Sequence, residues 1–232
     1  MSYTLLYWPI PFRGHVPRFI LSQAGAEWDE PGFDAVLAAK TAPPEEQPTP
    51  FMGPPVLIDH GTGRALSQMP AICMYLGRKH GLSHDPDTEL RLLCDASDIL
   101  LEITCHHGAT MWTRDSWTSF RDDRLPRWMR GHERLVTETG VSGSGGYMSG
   151  AETPGLSDLA LAALWHTMVD RLPPLRPLLH DTAPVLAALV NRVAGLPALL
   201  RLRDDWADCA DVYCAGQIEA SLLEMLNEDM RA

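Results

Sequence analysis

The 232-residue chain predicts a small α/β unit of about 80 residues followed by an all-helical unit of about 140. Three observations carry that reading. Short apolar strand patterns alternate with helical ones as far as residue 81. The composition changes at 82–87, LSHDPD, which reads as a linker. Beyond it, apolar residues recur only at helical spacing. The predicted domains are therefore 1–82 and 88–232.

Each element has a local reason. Residues 3–7, YTLLY, are short, apolar and aromatic, as a buried strand is. After the turn WPIPFRG, residues 14–24 read as a helix. Pro17 falls in its first turn, where no intrahelical N–H bond is lost, and Gly25 follows its end. A second strand fits 26–30 and a short helix 33–40. Pro43, Pro44, Pro48, Pro50, Pro54 and Pro55 make 41–55 a stiff extended loop. VLID, HGTGR and AL then form a hairpin with glycine at its bend. A helix follows from Ser67 to Lys79, with Ser67 as N-cap, Pro70 in its first turn and Gly81 past its end.

In the second unit, Leu90, Leu93, Ile99, Leu100 and Ile103 place a helix on 88–113. Further helical segments fit 117–137, 157–171, 182–194 and 197–209, and the glycine-rich 138–155 is a surface loop.

Composition excludes several classes. Nineteen Lys+Arg against 30 Asp+Glu leave a net charge of −11, the wrong sign for binding a phosphate backbone. With 45 % hydrophobic residues the chain can bury a real core, so it is not disordered as a whole. No uncharged apolar run reaches the ~18–20 residues of a membrane span, and the N-terminus lacks signal-peptide features. The expectation is a soluble, cytoplasmic protein with no nucleic-acid or membrane partner. Five cysteines without a CxxC pair suit neither a disulfide framework nor structural zinc. Cys73, Cys94 and Cys105 sit in apolar helical patterns and read as small buried hydrophobes. His106 and His107 are helix neighbours pointing ~100° apart, so no metal site is expected. Arg121, Arg124, Arg127, Arg130 and Arg134, interrupted by acids, read as a solvated face.

This order of elements, with the residues that punctuate it, resembles the cytosolic glutathione transferases over essentially the whole chain. The resemblance rests on YTLLYWPIPFRG, on GPPVLID followed by LSQMPAICMYLGRKHGL, and on GGYMSGAETPGLSDLAL. The first segment is similar to the Tyr-x-Pro…Arg-Gly opening of the Tyr-type classes, Pi above all. The family implies a thioredoxin-like N-terminal domain, a helical C-terminal domain, a homodimer, and glutathione as co-substrate with an electrophilic small molecule. Detoxification is the biological setting that goes with it.

The chemistry needs an anion-stabilising site, because only a few per cent of a free thiol is thiolate at neutral pH. Tyr7 can donate its phenolic O–H to sulfur, and Arg13 adds positive charge at the start of the following helix. The alternative reading of Tyr7 is a strand aromatic packed into the core, and the Trp-Pro…Arg-Gly context that follows it favours the catalytic role. The opening departs from the family by two extra residues: Ile10-Pro11-Phe12 stands where one residue is usual. It has neither the sulfurs of a disulfide oxidoreductase nor the hydroxyl of a Ser-type enzyme.

For glutathione itself, Pro55 is similar to the family's cis-proline. The residue before it pairs with the cysteinyl backbone, and here that residue is Pro54, which has no N–H. Gln68 matches a γ-glutamyl contact. The usual Ser after it is Met69, so the side-chain bond to the γ-glutamyl carboxylate is lost. Trp8 and Lys40 match the wall of the site and the glycyl carboxylate partner, although packed aromatic and solvated lysine are the alternative readings. Glu102 takes the place of an acid that reaches the γ-glutamyl amine across the dimer. His106, His107, Trp112 and Arg114, with the region of Trp206 and Tyr213, would form the second-substrate pocket. Phe51 is the expected dimer key, projecting from the proline loop into the other subunit. The competing reading is a non-catalytic relative that binds a ligand or serves structurally, and Pro54 and Met69 favour it.

Overall fold

The computed structural model describes residues 2–206 and 212–231. Strands β1 (Ser2–Leu6), β2 (Glu27–Asp29), β3 (Val56–Asp59) and β4 (Arg64–Ser67) form one sheet in the order β2-β1-β3-β4. β1 and β2 run parallel, joined through α1 (His15–Gln23); the other pairs are antiparallel. In β1, Tyr3 and Leu5 are fully buried, so the apolar pentapeptide is a core strand as its composition predicts. The α2 helix spans Phe33–Thr41 and α3 Met69–Lys79. The Pro54–Pro55 bond between the loop and β3 is cis.

The remaining chain is helical: α4 (Pro86–Ile103), the single turn α5 (Cys105–Gly108), α6 (Arg114–Ser119), α7 (Leu125–Glu138), α8 (Leu156–Leu161), α9 (Thr167–Arg171), α10 (Arg176–Thr182), α11 (Pro184–Ala194), α12 (Pro197–Asp205) and α13 (Gly216–Asp229). Two π-turns, Phe120–Arg124 and Ala162–His166, join α6 to α7 and α8 to α9. The α3 helix lies against α8 so closely that a Cβ on Gly77 would stand 2.6 Å from Leu156. One large core, including Leu5, Ile20, Ile72, Ile99 and Trp165, runs through both units, and a second, smaller cluster of Leu6, Val36, Phe51 and Val56 lies in the N-terminal unit. Among the described residues no single helix is long and apolar enough to cross a membrane.

Several boundaries differ from the sequence reading for local reasons. Ser67 ends β4 and does not cap α3; the N-cap is Gln68, held at φ 72°. The linker is shorter than expected because Asp85 caps α4, and Glu89 accepts the N–H groups of His84 and Asp85 at 2.6 and 3.1 Å. The helix expected over 88–113 stops at Ile103, because 105–108 all take positive φ. Cys73 and Cys105 are buried, but Cys94 is exposed, and Cys209 lies outside the described residues. The arginines of 121–134 are largely exposed, as a solvated face requires.

Candidate active site

Tyr7 follows the end of β1, and a 3-10 turn at Phe12–Gly14 carries the chain from the WPIP turn into α1. Gly14 makes this junction sterically feasible: a Cβ there would stand 2.2 Å from the Tyr7 ring. A cleft of about 380 Å³ opens at this point. The N-terminal unit lines it with Tyr7, Trp8, Arg13, Lys40 and Pro54, and the helical unit with Thr104, His107, Cys214 and Ile218.

The electrostatics of the cleft are set by burial and by Arg13. The Tyr7 oxygen accepts the Arg13 backbone N–H at 3.1 Å, which leaves its own proton for a ligand. Burial pushes the Tyr7 pKa up to about 12, against the lowering effect of Arg13 and Arg18, so the phenol is a donor and not a base at neutral pH. Arg13 is half-buried and donates from Nη2 to the Ser97 carbonyl at 3.2 Å, which fixes its guanidinium on α4. Burial, then the charges of Arg13 and His106, hold His107 below the usual imidazole range. Burial and the Glu219 carboxylate push the Cys214 thiol up, so it is a poor nucleophile.

Of the site residues expected from sequence, the cleft brings together Tyr7, Trp8, Arg13, Lys40, Pro54 and His107. Trp8 packs on Phe33 with centroids 5.3 Å apart, and the Lys40 ammonium stands 5.9 Å from the Trp8 ring. Pro55 is buried behind Pro54. Gln68 is exposed, and Met69, 2 % exposed, turns into the core. Neither is part of the cleft lining.

The structure places five further expected residues outside the cleft lining. Glu102 is held by Arg124 at 2.6 Å and by the Trp128 indole N–H at 3.2 Å. Trp112 packs on Trp117 and Phe120 and donates its indole N–H to Ile103, as a core aromatic does. Arg114 pairs with Glu228 and Asp229 and ties α6 to the end of α13. His106 is exposed outside the cleft lining. Phe51 does not project either: it is 8 % exposed and packs with Leu6, Val36 and Val56 of its own sheet and α2. The apolar side chain that projects from that loop is Met52, 91 % exposed.

Sequence reasoning missed Ile10, Phe12, Thr104, Cys214 and Ile218 as lining residues. It also missed Arg18, which underlies the site. Arg18 is completely buried; its guanidinium pairs with Glu30 and donates to the carbonyls of Trp8, Ile10 and Pro11. The available signal was the pairing of a helical Arg with an acid at the end of the second strand, which spacing alone does not reveal.

Comparison with known proteins agrees with this architecture. The family model "Glutathione S-transferase, C-terminal domain" matches residues 88–225, more than half of the chain. A Caenorhabditis elegans protein named probable glutathione S-transferase 6 is 34 % identical over 90 residues, 38 % of this chain. That stretch covers 40 % of the relative's length, so the match spans less than half of it. The solved Pi-class glutathione S-transferase of Onchocerca volvulus superposes with a TM-score of 0.70 at 22 % identity, covering 93 % of this chain and 98 % of that one. Prostaglandin synthase D of Nilaparvata lugens superposes with a TM-score of 0.63 at 18 % identity, covering 90 % and 98 %. These likenesses give the fold: a thioredoxin-like N-terminal unit with an all-helical C-terminal unit.

Proposed function

We infer a function from the premise that this chain belongs to the cytosolic glutathione S-transferase family: it activates the thiol of glutathione for attack on an electrophilic small molecule. One observation supports this reading above others. The Tyr7 phenol, its oxygen bonded to the Arg13 amide at 3.1 Å, faces a cleft that Arg13 also lines. A thiolate placed there would accept the Tyr7 O–H and feel both the Arg13 charge and the N-terminal dipole of α1. The sulfur lone pair then forms the bond to the electrophilic carbon as a leaving group departs with its electron pair, or as a C=C pair shifts away from that carbon, while the proton released on ionisation passes to water.

Glutathione would lie along the lining with its glycyl carboxylate toward Lys40 and its cysteinyl backbone toward Pro54. Pro54 offers only a carbonyl there, which forfeits about 0.5–1.5 kcal/mol. With Met69 turned into the core, only its backbone N–H remains for the γ-glutamyl carboxylate. The proposal extends to a cytoplasmic homodimer divided into units 1–82 and 88–232, with no resident metal, acting in detoxification. The second reading, a relative that binds without thiol chemistry, is favoured by Pro54 and Met69 together.

Calorimetric titration with glutathione separates the two. Saturable binding at millimolar concentration or tighter supports the enzyme; absence of heat supports the binding protein. With the enzyme established, Tyr7→Phe removes the O–H and little volume, and turnover should fall about 10–1,000-fold. Unchanged turnover together with an unchanged thiolate titration rejects Tyr7 as the donor.

A further inference from the structure

The charges of the cleft run against those of the chain. The sequence as a whole holds 30 Asp+Glu against 19 Lys+Arg. Among the described residues, the cleft lining carries the cations Arg13 and Lys40 and no Asp or Glu. Of the two lysines, Lys79 is paired with Asp59 inside the N-terminal unit. Lys40 is exposed, 5.9 Å from the Trp8 ring centre, and no acid pairs with it among the described residues. Arg13 donates to an uncharged partner, the Ser97 carbonyl, at 3.2 Å. Asp98, whose charge Arg13 feels, is exposed on α4 outside the lining.

Other acids beside the lining residues are engaged. Glu219, in the first turn of α13, is buried, and one of its oxygens accepts the backbone N–H groups of Tyr213, Cys214 and Ala215 at 2.9, 2.5 and 2.6 Å. Glu102 is taken by Arg124 and the Trp128 indole, and Glu30 by Arg18. This bears on each charge a ligand brings. At neutral pH glutathione carries a thiol, two carboxylates and one α-ammonium group. Lys40 suits a carboxylate, and Tyr7 with Arg13 suits a thiolate. An ammonium in the same cleft is repelled by both cations and meets no carboxylate of the described lining to offset its lost hydration. Left in water, it neither costs nor contributes. Gln68 and Met69 are consistent with this, since neither side chain stands in the cleft.

We propose that the cleft reads its thiol co-substrate through the carboxylate of a cysteinylglycine unit and leaves the α-ammonium end in solvent, so that N-acyl-cysteinylglycine thiols serve as well as glutathione. The assignment rests on the thiol-activating reading above and changes its co-substrate class. Such thiols keep the sulfur that Tyr7 and Arg13 meet and the carboxylate that Lys40 meets. Their acyl arm replaces the γ-glutamyl arm without needing a charge on it. Selection then lies in one ion pair at an exposed lysine, an attraction that salt screens.

Two single-charge deletions in the ligand test this with the full chain. Glutaryl-cysteinylglycine lacks only the α-ammonium group of glutathione, and glutathione glycinamide lacks only the glycyl carboxylate charge. Calorimetry gives Kd for all three thiols, and turnover with one uncharged electrophile gives kcat/KM. The glutaryl thiol should match glutathione within about threefold in both, whereas the glycinamide should be weaker by about tenfold or more. Lys40→Gln should weaken glutathione and the glutaryl thiol about tenfold and leave the Kd of the glycinamide within about twofold. A glutaryl thiol weaker by more than threefold overturns the assignment, because the ammonium is then read. A glycinamide as good as glutathione, or equal losses for all three thiols in Lys40→Gln, overturns it too. If none of the three binds or is turned over, the proposed function falls and this assignment with it. If glutathione is active and the glutaryl thiol is not, this assignment falls alone.

Discussion

The Arg18 guanidinium carbon lies 4.2 Å from the centre of the Trp206 ring. The same cation stands 5.5 Å from the Tyr7 ring. Arg18 thus joins the start of the site, the extended WPIP turn and the end of α12 in one buried cluster. Its fork bonds Glu30 at 2.8 and 2.6 Å, and Nη1 reaches the Ile10 carbonyl at 2.7 Å.

Arg18→Met should destabilise the protein by about 3–5 kcal/mol, since it leaves Glu30 with only the Trp28 indole N–H and three loop carbonyls without the Arg18 donor. Arg18→Lys should recover little, because an ammonium cannot span the same acceptors. Urea denaturation of both variants checks this. A lysine variant as stable as wild type would show that charge alone, and not the fork, holds the turn.

Met69→Ser gives a result that sequence comparison alone would have reversed. A serine restored for γ-glutamyl recognition would be expected to tighten glutathione binding. With Met69 buried against the core, the substitution should cost about 2–4 kcal/mol of stability and leave affinity no better. Thermal denaturation and calorimetry on one preparation measure both, and a gain in affinity would mean that residue 69 faces the ligand.

Phe51 and Met52 separate core from surface in adjacent positions. Phe51→Ala should lower stability by about 3 kcal/mol through loss of contact with Leu6, Val36 and Val56. Met52→Ala, at a side chain 91 % exposed, should change it by no more than about 0.5 kcal/mol. Urea midpoints decide this, and sedimentation run alongside asks whether Met52 serves the proposed dimer. A stable Phe51→Ala variant that dissociates to monomer would restore the projecting-key reading.

His15 sets a pH dependence whose sign is fixed by its surroundings. It is 4 % exposed, its Nδ1 accepts from Arg18 at 3.2 Å, and its ring meets Trp206 edge-on. Burial, then the charges of Arg18 and Arg171, hold its pKa well below the ordinary imidazole value. The native side chain stays neutral while the unfolded one takes a proton near pH 6.5. Stability is therefore undiminished above that pH and falls below it, by up to about 1.4 kcal/mol per pH unit. His15→Gln should flatten that slope between pH 6.5 and 5. Parallel urea titrations with equal slopes would show that His15 is protonated in the native state.

The sheet and most helices were legible because proline and glycine mark their ends. Pro43 through Pro55 keep the loop before β3 extended, and Gly81 closes the region after α3. The opening motif placed Tyr7 and Arg13 together because they are six residues apart in the segment that leads from β1 into α1. What stayed hidden depends on contacts distant in sequence. Arg18 reads as a solvent-facing helix residue until Glu30 and Trp206 close over it. Glu102 reads as a free carboxylate until Arg124 and Trp128, more than a helix away, take it. Nothing in the sequence singles out Glu219, whose partners are the backbone amides of Tyr213, Cys214 and Ala215. The end of α4 was missed because only Gly108 in 105–108 signals a left-handed turn.

That left-handed turn bears on how this cleft can change under mutation. Cys105, His106 and His107 each hold a backbone conformation that L-residues adopt at about 1–2 kcal/mol apiece. The turn is retained by Thr104, whose hydroxyl donates to the Leu100 carbonyl at 2.9 Å and accepts the His107 N–H at 3.3 Å. Glycine or asparagine at position 106 would relieve part of the strain, whereas a β-branched residue would add to it and could unwind the turn. Since His107 and Thr104 both face the cleft, a single codon change here would redraw its wall while leaving the sheet and the α1 junction intact. This strained turn is thus a point where the wall of the cleft can be reshaped without rebuilding the fold.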